Sequence, residues 1–288
     1  MAALANRWAE ELAHALKCEP LGQWPEEVLL IASDCSGMGC KERAVSKLLR
    51  HLPFLPFRAT SLYLCDSWSG SQKFLAKAFP ETTILGDALE RTFHKGGFRA
   101  KTVQGEEFAT SKSPHVYSCG FPCTPFSLRG KQLAWASDDA KPFYSAVKTI
   151  ASSRPWVYVL ENVTGILWKG GLKKLTEKLA IVKGYTVVTF RDLCPTQFGV
   201  PQRRTRVYVV GIRTDLLQVP PESLAAEMTR LIKSVKVETR DFGRYLAEAR
   251  VPMKIASATS KEEDPSCTCG VDKACEVRTY ASMDIPKS

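Results

Sequence analysis

Residues 28–40, VLLIASDCSGMGC, decide the fold class, because an apolar run here leads into a turn that contains two glycines. The run Val28–Ala32 predicts a buried strand, and the glycines permit a tight turn before the predicted helix Lys41–Leu52. The same alternation of short apolar strands and helical periods continues to residue 213. Such alternation is typical of an α/β fold whose mostly parallel sheet carries helices on both faces.

Six further strands and three further helices complete this prediction. The strands are Ser61–Cys65, Thr83–Leu85, His115–Cys119, Trp156–Leu160, Thr186–Phe190 and Arg206–Ile212, with the last two antiparallel; the helices are Ser69–Ala78, Phe143–Ser152 and Leu172–Lys183. Between them, the polar segment Gly96–Ser113 is predicted to be a surface insertion.

The chain divides into three predicted parts. Residues 1–25 form an N-terminal helix and lead-in, since Leu4, Trp8, Leu12 and Leu16 recur every four residues. Residues 26–213 form the main domain. Residues 214–288 form a C-terminal remnant, with a helix within Leu224–Val237 followed by an irregular segment.

Composition narrows the class of protein. The 288 residues are 44% hydrophobic, enough for a buried core. They contain no apolar run of the roughly 20 residues that cross a membrane, and Arg7, Glu10 and Glu11 interrupt any signal-peptide pattern. The ten cysteines are therefore expected to be reduced. Residues 1–213 hold 29 of the 40 Lys and Arg but 18 of the 30 Asp and Glu, a net charge of +11. This excess suits a nucleic acid partner or, equally, a solvated basic surface.

Three features near the first strands suggest a nucleotide-like ligand. The turn after the first strand brings backbone N–H groups to a helix N-terminus, where negative charge is favoured. Asp66 and Asp87 follow the second and third strands, where a carboxylate can accept a hydrogen bond from a ribose hydroxyl or an adenine amine. The alternative is that the turn only packs and that each carboxylate only caps a helix.

Three later segments suggest chemistry on a base. Residues 120–127, GFPCTPFS, hold Cys123 between two prolines, which stiffen the loop and fix the direction of a nucleophilic thiol. Glu161 follows the strand that ends at Leu160, where a carboxylate is costly unless it has a partner or a function. Residues 197–206, QFGVPQRRTR, alternate so that Gln202, Arg204 and Arg206 point to one side of an extended chain.

Together these motifs, in this order, resemble the C5-cytosine methyltransferase family over residues 28–213. The resemblance implies a seven-stranded Rossmann-like methyltransferase sheet and S-adenosylmethionine as cofactor. Cys123 matches the nucleophile that adds to cytosine C6, Glu161 matches the acid that contacts N3 and the exocyclic amine, and Gln202, Arg204 and Arg206 match the group that supports the base. The cofactor pocket is matched by Cys35, Ser36, Gly37, Met38, Gly39, Asp66, Asp87, Gly120 and Pro122.

The sequence also departs from the family pattern. Cys35 replaces a usual Phe, Cys40 replaces a common Gly, Thr124 replaces the usual Gln, and Lys141-Pro142-Phe143 matches its motif only loosely. Neither a sizeable target-recognition domain nor the C-terminal cofactor motif is found. We therefore predict a truncated, divergent or split enzyme, whose recognition part comes from a longer chain or a second subunit.

The sequence is consistent with three hypotheses of function. The first is methyl transfer to cytosine C5 in DNA, the second is the same reaction on tRNA, and the third is a silent relative that binds nucleic acid. No metal site is predicted, because Cys267, Cys269 and Cys275 lack a fourth ligand. The location is expected to be nuclear if the protein is eukaryotic and cytoplasmic otherwise.

Overall fold

The strands of a central sheet hold the candidate residues. The structure, a computed structural model, describes residues 27–53, 55, 58–110, 112–127 and 134–237. Its large sheet contains β1 (Val28–Asp34), β2 (Arg58–Cys65), β3 (Thr83–Leu85), β7 (Val116–Cys119), β8 (Val157–Val163), β9 (Tyr185–Leu193) and β10 (Arg206–Arg213). The predicted N-terminal helix and the three C-terminal cysteines lie outside the described residues.

The strand order of this sheet is β3–β2–β1–β7–β8–β10–β9. Strand β10 pairs antiparallel with β8 and β9, and the other neighbouring strands pair in parallel. The predicted seven-stranded, mostly parallel methyltransferase-type sheet is therefore confirmed, including its antiparallel final pair. Apolar strands such as β1 are buried, as expected for a sheet covered on both faces.

Five helices accompany the sheet among the described residues: α1 (Cys40–His51), α2 (Ser69–Ala78), α3 (Lys141–Ser153), α4 (Gly171–Leu179) and α5 (Leu224–Ser234). Helix α3 begins with Pro142 in its first turn, where a missing N–H costs nothing. It buries Phe143, Ala146, Val147 and Ile150, which share one face by their spacing. The prediction of a helix to Lys183 is wrong by a turn, since α4 ends at Leu179 and the chain reverses through Gly184 at φ 78°.

The prediction that Gly96–Ser113 is a surface insertion is wrong. This region forms most of a second, antiparallel sheet of β4 (Thr92–His94), β5 (Gly97–Lys101) and β6 (Glu107–Ala109). Phe98 on β5 is fully buried and meets Tyr63 edge-on, with ring centroids 5.4 Å apart. The alternation of buried Phe98 and Ala100 with exposed Arg99 and Lys101 is the two-residue period of a strand with one buried face.

The C-terminal part of the described chain contacts β9 and the loop that follows it. Helix α5 contacts β9, and the Val237 N–H donates to the carbonyl of Gln197 at 2.9 Å. The described residues belong to a compact unit that ends at Arg250, so the division at residue 213 stays a prediction. No helix among the described residues is long and apolar enough to cross a membrane.

Candidate active site

The register of the parallel strands brings the candidate residues to one edge of the sheet. Five last or near-last strand residues lie side by side in neighbouring strands: Leu85, Cys65, Asp34, Cys119 and Leu160. The next residue in each strand is therefore at the carboxyl edge, and these residues are Gly86, Asp66, Cys35, Gly120 and Glu161. Ligand sites of open α/β sheets occur at this edge. The strands β3, β2 and β1 form the first half of this edge, and β7, β8 and β10 form its second half.

The glycine turn of the first half is held by Asp66. One carboxylate oxygen accepts from the Gly37 N–H at 2.8 Å, and the other accepts from the Trp68 N–H at 3.0 Å. Gly37 and Gly39 have φ of 59° and 66°, a region that glycine enters without steric cost. A Cβ on Gly37 would meet nothing within 4 Å, whereas one on Gly39 would collide with Phe79. Gly37 therefore leaves room for a ligand, and Gly39 serves helix packing.

Two other predicted cofactor residues in the turn behave differently. Cys35 has a φ of 48°, in the left-handed region that residues with a Cβ rarely adopt. Residues in such conformations cluster at functional sites. Ser36 is buried, and its hydroxyl accepts from the Cys65 N–H at 3.0 Å. The Ser36 side chain thus joins β1 to β2 and does not face the open side of the turn.

The outer end of the first half combines a capping carboxylate with exposed apolar side chains. Asp87 accepts from the Leu89 N–H at 2.9 Å and caps a short 3₁₀ turn, which is the alternative role foreseen from sequence. Met38 is 59% exposed, and Trp68 is 70% exposed. Sequence reasoning missed Trp68, although a large aromatic residue two positions after Asp66 was the available signal.

The loop after β7 presents Cys123 to solvent. The N–H groups of Phe126 and Ser127 both donate to the Cys123 carbonyl at 2.9 Å, which closes a turn around the cysteine. Phe126 is buried and anchors this turn, while Cys123 is exposed. The Asn162 side chain donates to the Phe121 carbonyl at 3.0 Å and ties the loop to β8. The loop is therefore fixed to the strand that carries Glu161.

Glu161 lies within β8, so the prediction that it follows the strand is wrong. The pairing of β8 with antiparallel β10 extends the strand to Val163, which pairs with Arg206. The Arg206 Nε lies 2.9 Å from a Glu161 oxygen, and their side chains are 17% and 29% exposed. Burial and the charge of Glu161 raise the pKa of neighbouring Tyr208 above its ordinary value. This ion pair joins two of the site residues that the family resemblance implies, although the sequence predicted no contact between them.

The other two members of the predicted supporting group are farther out. Gln202 and Arg204 are exposed, and among the described residues neither side chain has a hydrogen bond or ion pair to Glu161 or Cys123. The loop that holds Gln202 and Arg204 begins at Cys194, a residue that the sequence analysis did not single out. The Thr196 hydroxyl lies 3.1 Å from the Cys194 sulfur and lowers the pKa of this thiol to about 7.

A buried ion pair beneath the first half was also missed. Arg91 donates to both oxygens of Asp34, once at 2.7 Å, and also to the Thr149 hydroxyl at 2.9 Å. The Tyr117 hydroxyl donates to Asp34 at 2.6 Å. Burial disfavours the charge on Arg91, but the Asp34 carboxylate outweighs it and raises the pKa of Arg91. The signal in the sequence was an aspartate at the end of a strongly apolar strand.

Comparison with known proteins places the chain in a family. Type II methyltransferase M.BanI of Aneurinibacillus aneurinilyticus is 40% identical over 96 residues, which cover 32% of this chain and 22% of that enzyme. M.NgoBI of Neisseria gonorrhoeae is 33% identical over 143 residues, 48% of this chain and 45% of that enzyme. The chain thus spans less than half the length of these relatives.

A solved structure and a family profile complete the comparison. DNMT2 of Spodoptera frugiperda superposes with a TM-score of 0.45 at 21% identity, over 65% of this chain and 50% of that one. The profile of C-5 cytosine-specific DNA methylases matches residues 88–267. That range begins after the glycine turn and Asp66 and includes Cys123, Glu161 and Arg206. Because it covers more than half of the 288 residues, the chain belongs to the C-5 cytosine-specific DNA methylase family.

Proposed function

We propose that this protein transfers a methyl group from S-adenosylmethionine to C5 of cytosine in DNA. The observation that carries the proposal is the second half of the sheet edge. There, the exposed Cys123 lies on a loop that Asn162 ties to β8, and β8 holds the Glu161–Arg206 pair. An exposed thiol, on a loop tied to the strand that holds an oriented carboxylate, fits covalent catalysis on a pyrimidine ring.

The first half of the edge fits the proposed cofactor. The Asp66 oxygens each accept one backbone hydrogen bond and keep further lone pairs, which suit ribose hydroxyls. The open side of Gly37 allows close approach, and the exposed Trp68 ring offers an apolar face to an adenine. We therefore propose that Gly37, Asp66 and Trp68 hold S-adenosylmethionine, with Asp87 and Met38 beside them. When bound, this cofactor supplies an electrophilic methyl group.

The proposed reaction uses Cys123, Glu161 and Arg206. The Cys123 thiolate adds to cytosine C6, and Glu161 interacts with N3 and the exocyclic amine, which lowers the cost of charge on the ring. Arg206 holds Glu161 in position through its Nε contact. The addition would make C5 nucleophilic, and bound S-adenosylmethionine would supply the methyl group and leave as S-adenosylhomocysteine. Loss of the C5 proton and departure of the Cys123 thiolate restore the ring. In a duplex, the base must be flipped out to expose both faces.

A covalent trap tests this proposal. We expect a DNA duplex that contains 5-fluorocytosine to accumulate a covalent protein–DNA adduct in the presence of S-adenosylmethionine, since fluorine blocks the final elimination. Cys123→Ser should form no adduct and lose methyl transfer, because a hydroxyl is a far weaker nucleophile than a thiolate. Denaturing gels measure the adduct, and labelled methyl transfer measures turnover.

The matched control is Cys40→Ser, since Cys40 is the other exposed cysteine among the described residues. This variant should keep both the adduct and the transfer. Labelled transfer is measured on DNA and tRNA side by side. Transfer to tRNA alone would favour the second reading from the sequence, and binding of nucleic acid with no transfer to either would favour the silent relative. An adduct on the Cys123→Ser variant would show that the nucleophile is elsewhere.

We also propose that DNA recognition is incomplete in this chain. The +11 net charge of residues 1–213 supports phosphate binding with little sequence preference and steep salt dependence. A longer chain or a second subunit would then supply readout of the target bases. The curated relatives named above are bacterial, which supports a cytoplasmic location and gives no support to a nuclear one.

A further inference from the structure

Lys41 lies where the two halves of the sheet edge meet. It belongs to the first turn of α1, directly after the glycine turn, and its Nζ donates to the Asp34 carbonyl at 3.3 Å. A Cβ built on Gly120 would lie 3.7 Å from the Lys41 Nζ and 3.2 Å from a Glu161 oxygen. The ammonium group therefore lies over the ends of β1 and β7, next to the proposed base site.

The Lys41 ammonium has donors to spare. A lysine side chain carries three N–H donors, and the only hydrogen bond that the described residues provide is the one to the Asp34 carbonyl. Within that part of the chain, no carboxylate lies within ion-pair distance of Lys41. The Asp34 carboxylate is engaged by Arg91 and Tyr117, and Arg206 engages Glu161. A half-buried ammonium with no carboxylate partner is suited to bind an anionic ligand.

The proposed function restricts which anion can reach this position. In the proposed function, the adenosine end of S-adenosylmethionine would bind at Asp66 and Asp87, which follow β2 and β3. The methyl group must reach the base between Cys123 and Glu161, after β7 and β8. The amino-acid end of the cofactor then falls near the ends of β1 and β7, where Lys41 lies, and it carries the cofactor's one carboxylate.

We propose that Lys41 binds the carboxylate of the amino-acid end of S-adenosylmethionine. This inference rests on the proposed function, because it requires that cofactor. The alternative is that the Lys41 ammonium only balances the charge of Glu161. A substitution of Lys41 would then change the base chemistry and leave the affinity for the cofactor unchanged. The profile match to the family begins at residue 88, so it assigns nothing to Lys41.

Binding of two cofactor forms tests the inference without any turnover. Titration calorimetry on the full chain compares S-adenosylmethionine with its decarboxylated form, which differs only by the carboxylate. We expect the protein to bind S-adenosylmethionine roughly 10- to 100-fold more tightly than the decarboxylated form, the scale of a charged hydrogen bond. Lys41→Met should reduce this ratio to near one, and Lys41→Arg should keep most of it. Lys47→Met, on the same helix, removes the same charge and should keep the whole ratio.

Each outcome decides between the proposals. If the unmodified protein binds both forms equally, the inference is wrong whether or not any variant folds. If Lys41→Met keeps the ratio, another group binds the carboxylate and the inference is again wrong. If the protein binds neither form, the proposed function fails and the inference fails with it. A ratio that collapses in Lys41→Met and persists in Lys47→Met supports the inference.

Discussion

Two carboxylate–guanidinium pairs lie near the same edge of the sheet, and they differ in exposure. In the pair of Asp34 and Arg91, the side chains are 1% and 0% exposed. Tyr117 and Thr149 add further hydrogen bonds to the pair from inside the protein. In the pair of Glu161 and Arg206, the side chains are 29% and 17% exposed, and among the described residues no group donates to the second Glu161 oxygen.

This difference fits a structural role for the Asp34–Arg91 pair and the proposed chemical role for the Glu161–Arg206 pair. We call Asp34 and Arg91 the sealed pair. It joins the end of β1 to the segment after β3, and Tyr117 and Thr149 occupy the space in which a ligand could bind. Removing one member would leave a buried charge unpaired, which is far more costly than losing an exposed ion pair. The open pair, Glu161 and Arg206, orients Glu161 and leaves its second oxygen without a donor among the described residues, as the proposed function requires. We therefore expect substitutions in the sealed pair to change stability, and those in the open pair to change activity.

The largest expected effect is the loss of methyl transfer when Glu161 of the open pair is substituted. Glu161→Gln preserves shape but removes the charge and the ability to share a proton. We expect methyl transfer to fall by about 10²- to 10⁴-fold, while the free energy of unfolding changes by less than about 1 kcal/mol. Single-turnover transfer and urea denaturation measure the two quantities. Glu177→Gln on α4 is the control, since Glu177 is an exposed glutamate that is not among the candidate site residues. An unchanged rate for Glu161→Gln would remove it from the chemistry.

The next effect is on the sealed pair. Arg91→Met leaves the Asp34 carboxylate buried without its cation, and we expect the free energy of unfolding to fall by about 3–5 kcal/mol. Adding Asp34→Asn to Arg91→Met removes the unpaired charge, so the double variant should be more stable than the single one. Urea denaturation of four proteins measures this: the unmodified protein, the two single variants and the double variant. If the double variant lost the sum of both single effects, the two side chains would not be coupled.

The two pairs also show what sequence reasoning can reach. The pattern of apolar strands predicts four of the site residues, because each one follows or ends such a strand and parallel strands end at one edge of the sheet. These residues are Glu161, Cys123, Asp66 and Asp87. Even so, Glu161 lies within β8, because the pairing with β10 extends the strand to Val163. That pairing joins segments more than 40 residues apart, and a local apolar pattern does not contain it.

The sealed pair could not be predicted for a related reason. Asp34 and Arg91 are 57 residues apart, and their contact depends on how β1 is placed relative to β3 and the second sheet. The segment Gly96–Ser113 was predicted to be a surface insertion because it is polar, and its two strands are only three and five residues long. The two-residue alternation around Phe98 was the one local signal, and it becomes decisive only once Phe98 is seen packing on Tyr63.

The smallest expected effect concerns the tyrosine that completes the sealed pair. Tyr117→Phe removes the hydroxyl that donates to Asp34 at 2.6 Å. We expect a loss of about 1.5–3 kcal/mol in the free energy of unfolding at pH 8, the scale of a hydrogen bond to a charged group. Burial, followed by the charge of Asp34, raises the pKa of Tyr117 well above its ordinary value. The folded protein therefore keeps this proton at a pH where the unfolded chain loses it.

The stability that the Tyr117 hydroxyl contributes is fully present below about pH 10, the ordinary tyrosine pKa, and is lost as pH rises above it. The difference between the unmodified protein and Tyr117→Phe should therefore shrink by about 1.4 kcal/mol for each pH unit above 10. Urea denaturation of both proteins between pH 8 and pH 11 measures this difference. Other groups whose pKa is raised by burial in the folded protein, such as Tyr63 and Cys65, remain in both proteins, so their effects cancel in the difference. A difference that stays constant with pH would show that Tyr117 ionises in the folded protein as it does in the unfolded chain.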